Sequence, residues 1–175
     1  INKPGMTPDE LKGGVFGGAL KQGTLKVGDE IEISPGRILT EQNQVVWHPF
    51  KTKITGMITG GASVDEVTPG GSVAVMTELD PAIVKGDVLR GNIIGSPGKM
   101  PPVWKELKAK PHLMDRVVEK NKDIKINPIA RGENILMNVN SAATVGHVVD
   151  VSKKEVTFQL KIPIAAEVGQ KVSFS

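Results

Sequence analysis

The stretch that decides the fold is "GGVFGGALKQGTLKVGDEIEISPG", residues 13–36, with glycine at 13, 14, 17, 18, 23, 28 and 36. A run this rich in glycine either cradles a phosphate or bends a sheet, and the residues behind it separate the two. A phosphate loop needs a Lys followed by Ser or Thr and then a helix, and "GGVFGG" has neither downstream. Instead the chain continues into Asp29, Glu30, Ile31, Glu32, Ile33, acidic residues alternating with isoleucine, the pattern of a strand with one wet face. Gly28-Asp29 reads as a turn, and the glycines at 13, 14, 17 and 18 as places where a strand bends and packs closely.

Working outward, the rest of the chain has the same punctuation. Short segments rich in Val, Ile and Thr lie between Gly, Pro, Asn and Asp, with 20 glycines and 12 prolines in 175 residues. Strands are expected at 12–22, 27–34, 44–58, 72–77 and 87–94, separated by "SPGR", "ITGGAS", "TPGG" and "LDP" turns. Further strands are expected at 104–114, 133–140, 144–151, 154–162 and 170–175, while "MDRVVEKNK" at 114–122 reads as one helical turn or irregular chain. "GSPGKMPPVW", residues 95–104, interrupts the strand pattern with two proline-containing turns and marks a boundary. The expectation is an all-β protein of two consecutive small β-barrels, 1–98 and 99–175, since closure removes exposed sheet edges.

Charge is uneven. Residues 1–98 carry 9 Lys and Arg against 11 Asp and Glu, and residues 99–175 carry 13 against 8, which sums to the net +3 of the chain. The excess in the second half is either an ordinary solvated surface or a face toward a polyanion. There is no cysteine, which excludes disulfides and thiolate metal sites, and no secretory signal or membrane-spanning apolar run, so a cytoplasmic protein is expected.

Catalytic chemistry finds no footing. "GSPGKM" puts Met100 after Lys99 where a Ser or Thr would be needed, and "NKDI" at 121–124 puts Ile124 where a guanine-reading Asp would be. His48, His112 and His147 are far apart and lack partners at metal-ligand spacing. Asp29 with Glu30, and Asp65 with Glu66, are adjacent and would face opposite sides of a strand. Ser63, Ser72 and Ser96 sit in turns without a G-x-S-x-G elbow. Six aromatic residues, two Trp and four Phe, give little for base stacking.

Taken as an ordered series, the motifs resemble a known superfamily. "GGALKQGTLKVGDEIEISPG" and "PGGSVAVMTELDPAIVKGDVLRGNIIG", residues 69–95, look like the barrel that follows the GTPase domain in elongation factor Tu and its relatives. "NKPG" at 2–5, "LKGGVFGGAL" at 11–20, "KVGDEIEISPG" at 26–36, "LDP" at 79–81, "LMDRVV" at 113–118, "ENILMNVNSAATVGHV" and "IPIAAEVGQKVSFS" narrow it. Over the whole chain the resemblance is to the gamma subunit of archaeal and eukaryotic translation initiation factor 2, domains II and III.

That resemblance implies a non-catalytic binding region of the factor that delivers methionyl initiator tRNA to the small ribosomal subunit. It implies that the GTPase domain, which holds GTP and Mg²⁺ in the complete family protein, lies before Ile1. It also implies that the third domain runs beyond Ser175, leaving the second barrel without its last strand and with an open edge. No cofactor is expected in this chain. The partners it implies are initiator methionyl-tRNA, the alpha subunit, the small ribosomal subunit and the factor's own GTPase domain, with no membrane.

By position in the family, the residues for the tRNA 3′ end are Lys53, Thr55, Gly56 and Met57 on one strand and Gly70, Gly71, Ser72, Val73 and Val75 on the other, with Met57 and Val75 open to a core reading instead. The glycines of the opening stretch could equally let backbone approach that RNA end. Lys105, Lys108, Lys110, Arg116 and Lys120 are candidates for RNA backbone contact, and Trp47, Phe50 and Lys85 for the alpha-subunit interface, Trp47 being as readily a core residue. Three alternatives stay open: the barrel region of another translational GTPase such as the selenocysteine-specific elongation factor, against which "NKPG" and "LMDRVV" argue; a pure protein-interaction scaffold; and an enzyme, which would need a pocket of convergent titratable groups.

Overall fold

A computed structural model describes residues 13–112, 116–119, 122–125 and 127–175. The all-β expectation holds: the regular secondary structure of the described residues is nearly all strand, in curled sheets. The chain divides into two compact units, Ile1–Arg37 with Trp47–Met100, and Ile38–Val46 with Pro101–Ser175. A boundary drawn at residue 98 does not foresee that residues 38–46 group with the second unit. They are the far end of a long hairpin, β3 (Glu30–Glu41) and β4 (Gln44–Thr59). At about 3.3 Å per residue such strands are too long to be used up by one small sheet.

In the first unit the sheet order is β1 (Val15–Ala19), β7 (Ser72–Thr77), β4, β3, β8 (Ile93–Gly95), with β5 (Ala62–Val64) paired to β4. β2 (Leu25–Lys26) and β6 (Glu66–Val67) form a separate two-stranded ribbon. The alternation read from the opening stretch is realised: Ile31 and Ile33 are buried, and Ile31 packs with Ile54, Met57, Val73 and Val75 into one apolar cluster. The "KVGD" turn closes through Asp29 N–H to the Lys26 carbonyl at 3.1 Å, while the Asp29 carboxylate accepts from Lys26 N–H at 2.8 Å. Gly28 takes φ +95°, which the third position of such a turn requires. Gly13 and Gly14 are packing glycines: a Cβ on Gly13 would lie 1.7 Å from the Thr77 carbonyl oxygen, and one on Gly14 2.8 Å from Val84. Gly17 and Gly18 have nothing within 4 Å and need another explanation.

Three local expectations are corrected. "SPGR" is not a turn between strands, since Ser34, Pro35 and Gly36 are buried inside β3 and the reversal comes at Gln42 and Asn43, both with positive φ. The 87–94 strand is reduced to β8. Asp80 and Pro81 start a helical turn, α1 (Pro81–Val84), with the Asp80 side chain accepting from Ala82 N–H at 2.8 Å; a 3-10 turn, Lys85–Asp87, comes next. The 3-10 turn, with Val88 still in helical backbone conformation at its end, takes up the start of the expected strand. Finally, Arg116–Glu119 is a strand, β10, paired antiparallel with β11 (Lys122–Lys125), not a helical turn.

The second unit is a five-stranded antiparallel sheet in the order β15 (Ser173–Phe174), β12 (Asn134–Val139), β13 (Ala142–Val151), β14 (Val156–Ala165), β9 (Val103–Ala109). Met137, Val139, Val148, Phe158 and Ile164 are its buried centre. Between Gln159 and Ile164 the β14–β9 register shifts. Beyond the shift Trp104 Nε1 donates to the Ala166 carbonyl at 2.8 Å and Ala166 N–H to the Pro102 carbonyl at 3.1 Å, fixing the end of β9.

Candidate functional site

The candidate site lies on the outward side of β1, β7 and β4. Pairing sets Val15 opposite Met76, Gly17 opposite Ala74 and Ala19 opposite Ser72, while β4 adds Gly56 opposite Met76 and Ile58 opposite Ala74. The alternate residues of β7, Val73, Val75 and Thr77, point to the core and are 0–5% exposed. A strand has only two faces, so burying one in this register forces the small residues onto the other.

Near one end of these strands the outward side opens into a shallow cavity of about 480 Å³. Its walls are Gly17, Gly18 and Ala19, then Ile58 to Gly61 at the β4–β5 turn, then Ser72, Val73 and Ala74. Thr59 Oγ1 donates to the Ser72 carbonyl at 3.0 Å and ties β4 to β7 across it. Among the described residues no Asp, Glu, Lys, Arg or His lines the cavity. Such a surface cannot neutralise phosphates; it suits the apolar or neutral part of a partner.

Gly17 and Gly18 form its most informative wall. Their φ angles are ordinary and a Cβ on either would meet nothing within 4 Å among the described residues, so neither backbone conformation nor packing among those residues calls for glycine. Glycine inside a strand weakens it by roughly 0.5–1 kcal/mol. Retaining two in succession at the lip of a cavity fits a place that another molecule's surface approaches.

The residues expected at the tRNA end scatter. Ser72 and the rim of Val73 belong to the cavity. Met57 at 1%, Val73 at 5% and Val75 at 5% exposure are core residues, the outcome left open for Met57 and Val75. Gly56 lies beneath the Met76 side chain, whose Cε fills the space a Cβ would need, next to the register shift between Ile54 and Gly56. Lys53 and Thr55 are exposed on β4, and Gly70 and Gly71 are exposed in the bend before β7. Composition alone singles out Gly17 and Gly18 but passes over Ile58, Gly60, Gly61 and Ala74, which only the register brings to them.

The other candidates are spread over both units. Trp47 and Phe50 are half-buried on β4 and Lys85 is exposed in the 3-10 turn. Lys105 is half-buried, Lys108 and Lys110 are exposed, Arg116 lies on β10, and Lys120 lies outside the described residues. His48, His112 and His147 are all exposed, with His147 Nδ1 3.0 Å from Asn134 Oδ1. Among the described residues no group of three His, Cys, Asp or Glu could hold a metal ion, and no helix is long and apolar enough to cross a membrane.

Comparison with known proteins agrees with this geometry. Residues 105–175 match the family model for the C-terminal domain described as "Initiation factor eIF2 gamma, C terminal". Over all 175 residues the chain is 48% identical to the translation initiation factor 2 gamma subunit of Thermococcus onnurineus, 47% to that of Pyrococcus abyssi and 42% to that of Methanocaldococcus jannaschii. It spans 43% of the length of each of these relatives. By this end-to-end match, joined to the family model over its second unit, the chain belongs with the gamma subunits of translation initiation factor 2 and corresponds to their C-terminal part.

Proposed function

We propose that this chain is the docking region of a gamma subunit that delivers methionyl initiator tRNA to the small ribosomal subunit in the cytoplasm. In this reading it performs no chemistry. GTP and Mg²⁺ are held by a GTPase domain in another part of the factor, and this chain offers passive surfaces to the tRNA 3′ end and to the alpha subunit. The observation that carries the reading is the cavity lipped by Gly17 and Gly18, which among the described residues is uncharged and whose two glycines are not needed for packing. A terminal ribose and base, or an uncharged protein loop, can lie against backbone N–H groups and small side chains there, whereas a phosphate run would find no counter-charge among the described residues.

Gly17→Val tests it. A β-branched residue suits an exposed strand position with open space around its Cβ, so the variant should be more stable by up to about 1 kcal/mol in urea denaturation. Its added bulk should at the same time cut capture of the alpha subunit or of aminoacyl-tRNA at least about tenfold, the equivalent of 1.4 kcal/mol. A variant that gains stability and binds both partners as before would remove the basis for the proposal. By calorimetry the 175-residue chain is expected to show no heat of GTP binding, and a tight signal would place nucleotide chemistry back in this region.

A further inference from the structure

Four lysines that are far apart in sequence meet at one end of the second unit's sheet. The β14–β9 register sets Ala109 opposite Val156 and Lys108 opposite Thr157. Lys108 and Lys110, both exposed, therefore run alongside the turn joining β13 to β14. That turn is closed by Ser152 N–H to the Glu155 carbonyl at 2.9 Å and by Glu155 N–H to Ser152 Oγ at 3.2 Å, which leaves Lys153 and Lys154 exposed at its tip. Glu155, Asp150 and the exposed Glu106, two residues before Lys108 on the same strand face, are the nearby carboxylates among the described residues, so this corner carries four positive charges against three negative, while the whole chain nets +3. None of the four ammonium groups is ion-paired among the described residues.

The chemistry of the corner narrows its partner. Lys108 and Lys110 share a strand face, about 6.6 Å apart at two residues' rise. Lysine is a point charge that follows a line of anions without the forked grip of Arg. Among the described residues the corner has no aromatic side chain for stacking on unpaired bases, and of exposed large apolar side chains only Val151, 41% exposed, stands beside it. A protein interface normally rests on buried aromatic or apolar anchors, which are missing here. A regular polyanion needs none, because its affinity comes from released counterions.

The geometry points to this corner as a contact for the phosphate backbone of duplex RNA, made without reading bases. The choice of RNA rests on the translational reading above; contact with a regular polyanion does not. It shares no residue with the cavity of the first unit and needs no tRNA 3′ end.

The test is fluorescence anisotropy of the chain with a labelled, blunt RNA duplex of about 16 base pairs, at several salt concentrations between about 50 and 200 mM. With four phosphates neutralised, log K should fall with log salt at a slope of roughly −3 to −4. Lys153→Ala/Lys154→Ala should lower that slope by about 2 and weaken binding at every salt. Lys161→Ala/Lys171→Ala, the same charge loss at exposed positions elsewhere, should leave the slope in place. Equal slope losses in the two pairs, or absence of binding at the lowest salt, overturns the assignment. So does displacement of the duplex by polyglutamate at equal charge, which would make the partner an acidic protein. Because the duplex offers no aminoacylated end, these outcomes are independent of Gly17→Val.

Discussion

Truncating Phe158 to alanine is expected to remove about 3–5 kcal/mol from the stability of the second unit, the usual cost of emptying a fully buried aromatic site. Phe158 is 0% exposed, sits opposite Val148 on β13 and Leu107 on β9, and stacks on Phe174 with ring centroids 5.4 Å apart. One side chain thus ties three neighbouring strands to the last strand, β15, which contributes only two residues to the sheet. The apolar cluster of the first unit shares no residue with this one. In urea melts with separate reporters, Trp47 for the first unit and Trp104 for the second after replacing the other tryptophan with Phe, only the Trp104 transition should move. A loss under about 1 kcal/mol, typical of surface changes, would mean that Phe158 is not the centre of that core.

Gly36→Ala is expected to cost the first unit about 3 kcal/mol or more, combining two mechanisms that usually act alone. Gly36 has φ +79°, where a side chain costs about 1 kcal/mol. A Cβ there would also lie 2.1 Å from the His48 carbonyl oxygen and 2.7 Å from Pro49 Cα, backbone atoms that cannot swing aside. Its N–H donates to Asn92 Oδ1 at 2.7 Å, so any shift that relieved the overlap would strain that bond. Gly23 separates the two effects: its φ is +77° with nothing within 4 Å of a Cβ, so Gly23→Ala should lose only the conformational part. Similar losses at both positions, measured by denaturant midpoint, would show that the close approach at Gly36 is not felt.

The contrast between these glycines shows how far the sequence could be read. In "KVGDEIEISPG" the turn and the wet-and-dry strand are legible, because a turn depends on its own four residues and alternation on the strand's period of two. In the same stretch "SPG" reads as a turn by composition but lies inside β3, because Asn92, 56 residues away, supplies the partner that keeps Gly36 in the strand. Val88 and Leu89, after "LDPAIVKGD", read as strand because such residues favour strands on average, whereas the 3-10 turn before them, which leaves Val88 in helical backbone conformation, is a local geometry that averages miss.

By itself the sequence determined that this chain is all-β, punctuated by glycine and proline turns, and akin to translation initiation factor 2 gamma subunits, because periodicity, turn chemistry and ordered motifs are properties of neighbours along the chain. Only the tertiary structure decided which glycines serve packing and which stand open, that Met57, Val73 and Val75 are core, and that Gly17 meets Ile58 and Ala74 around a cavity while Lys108 pairs opposite Thr157, just past the turn that holds Lys153. Those facts depend on strand register, and a slip of one residue would turn every side chain to the opposite face.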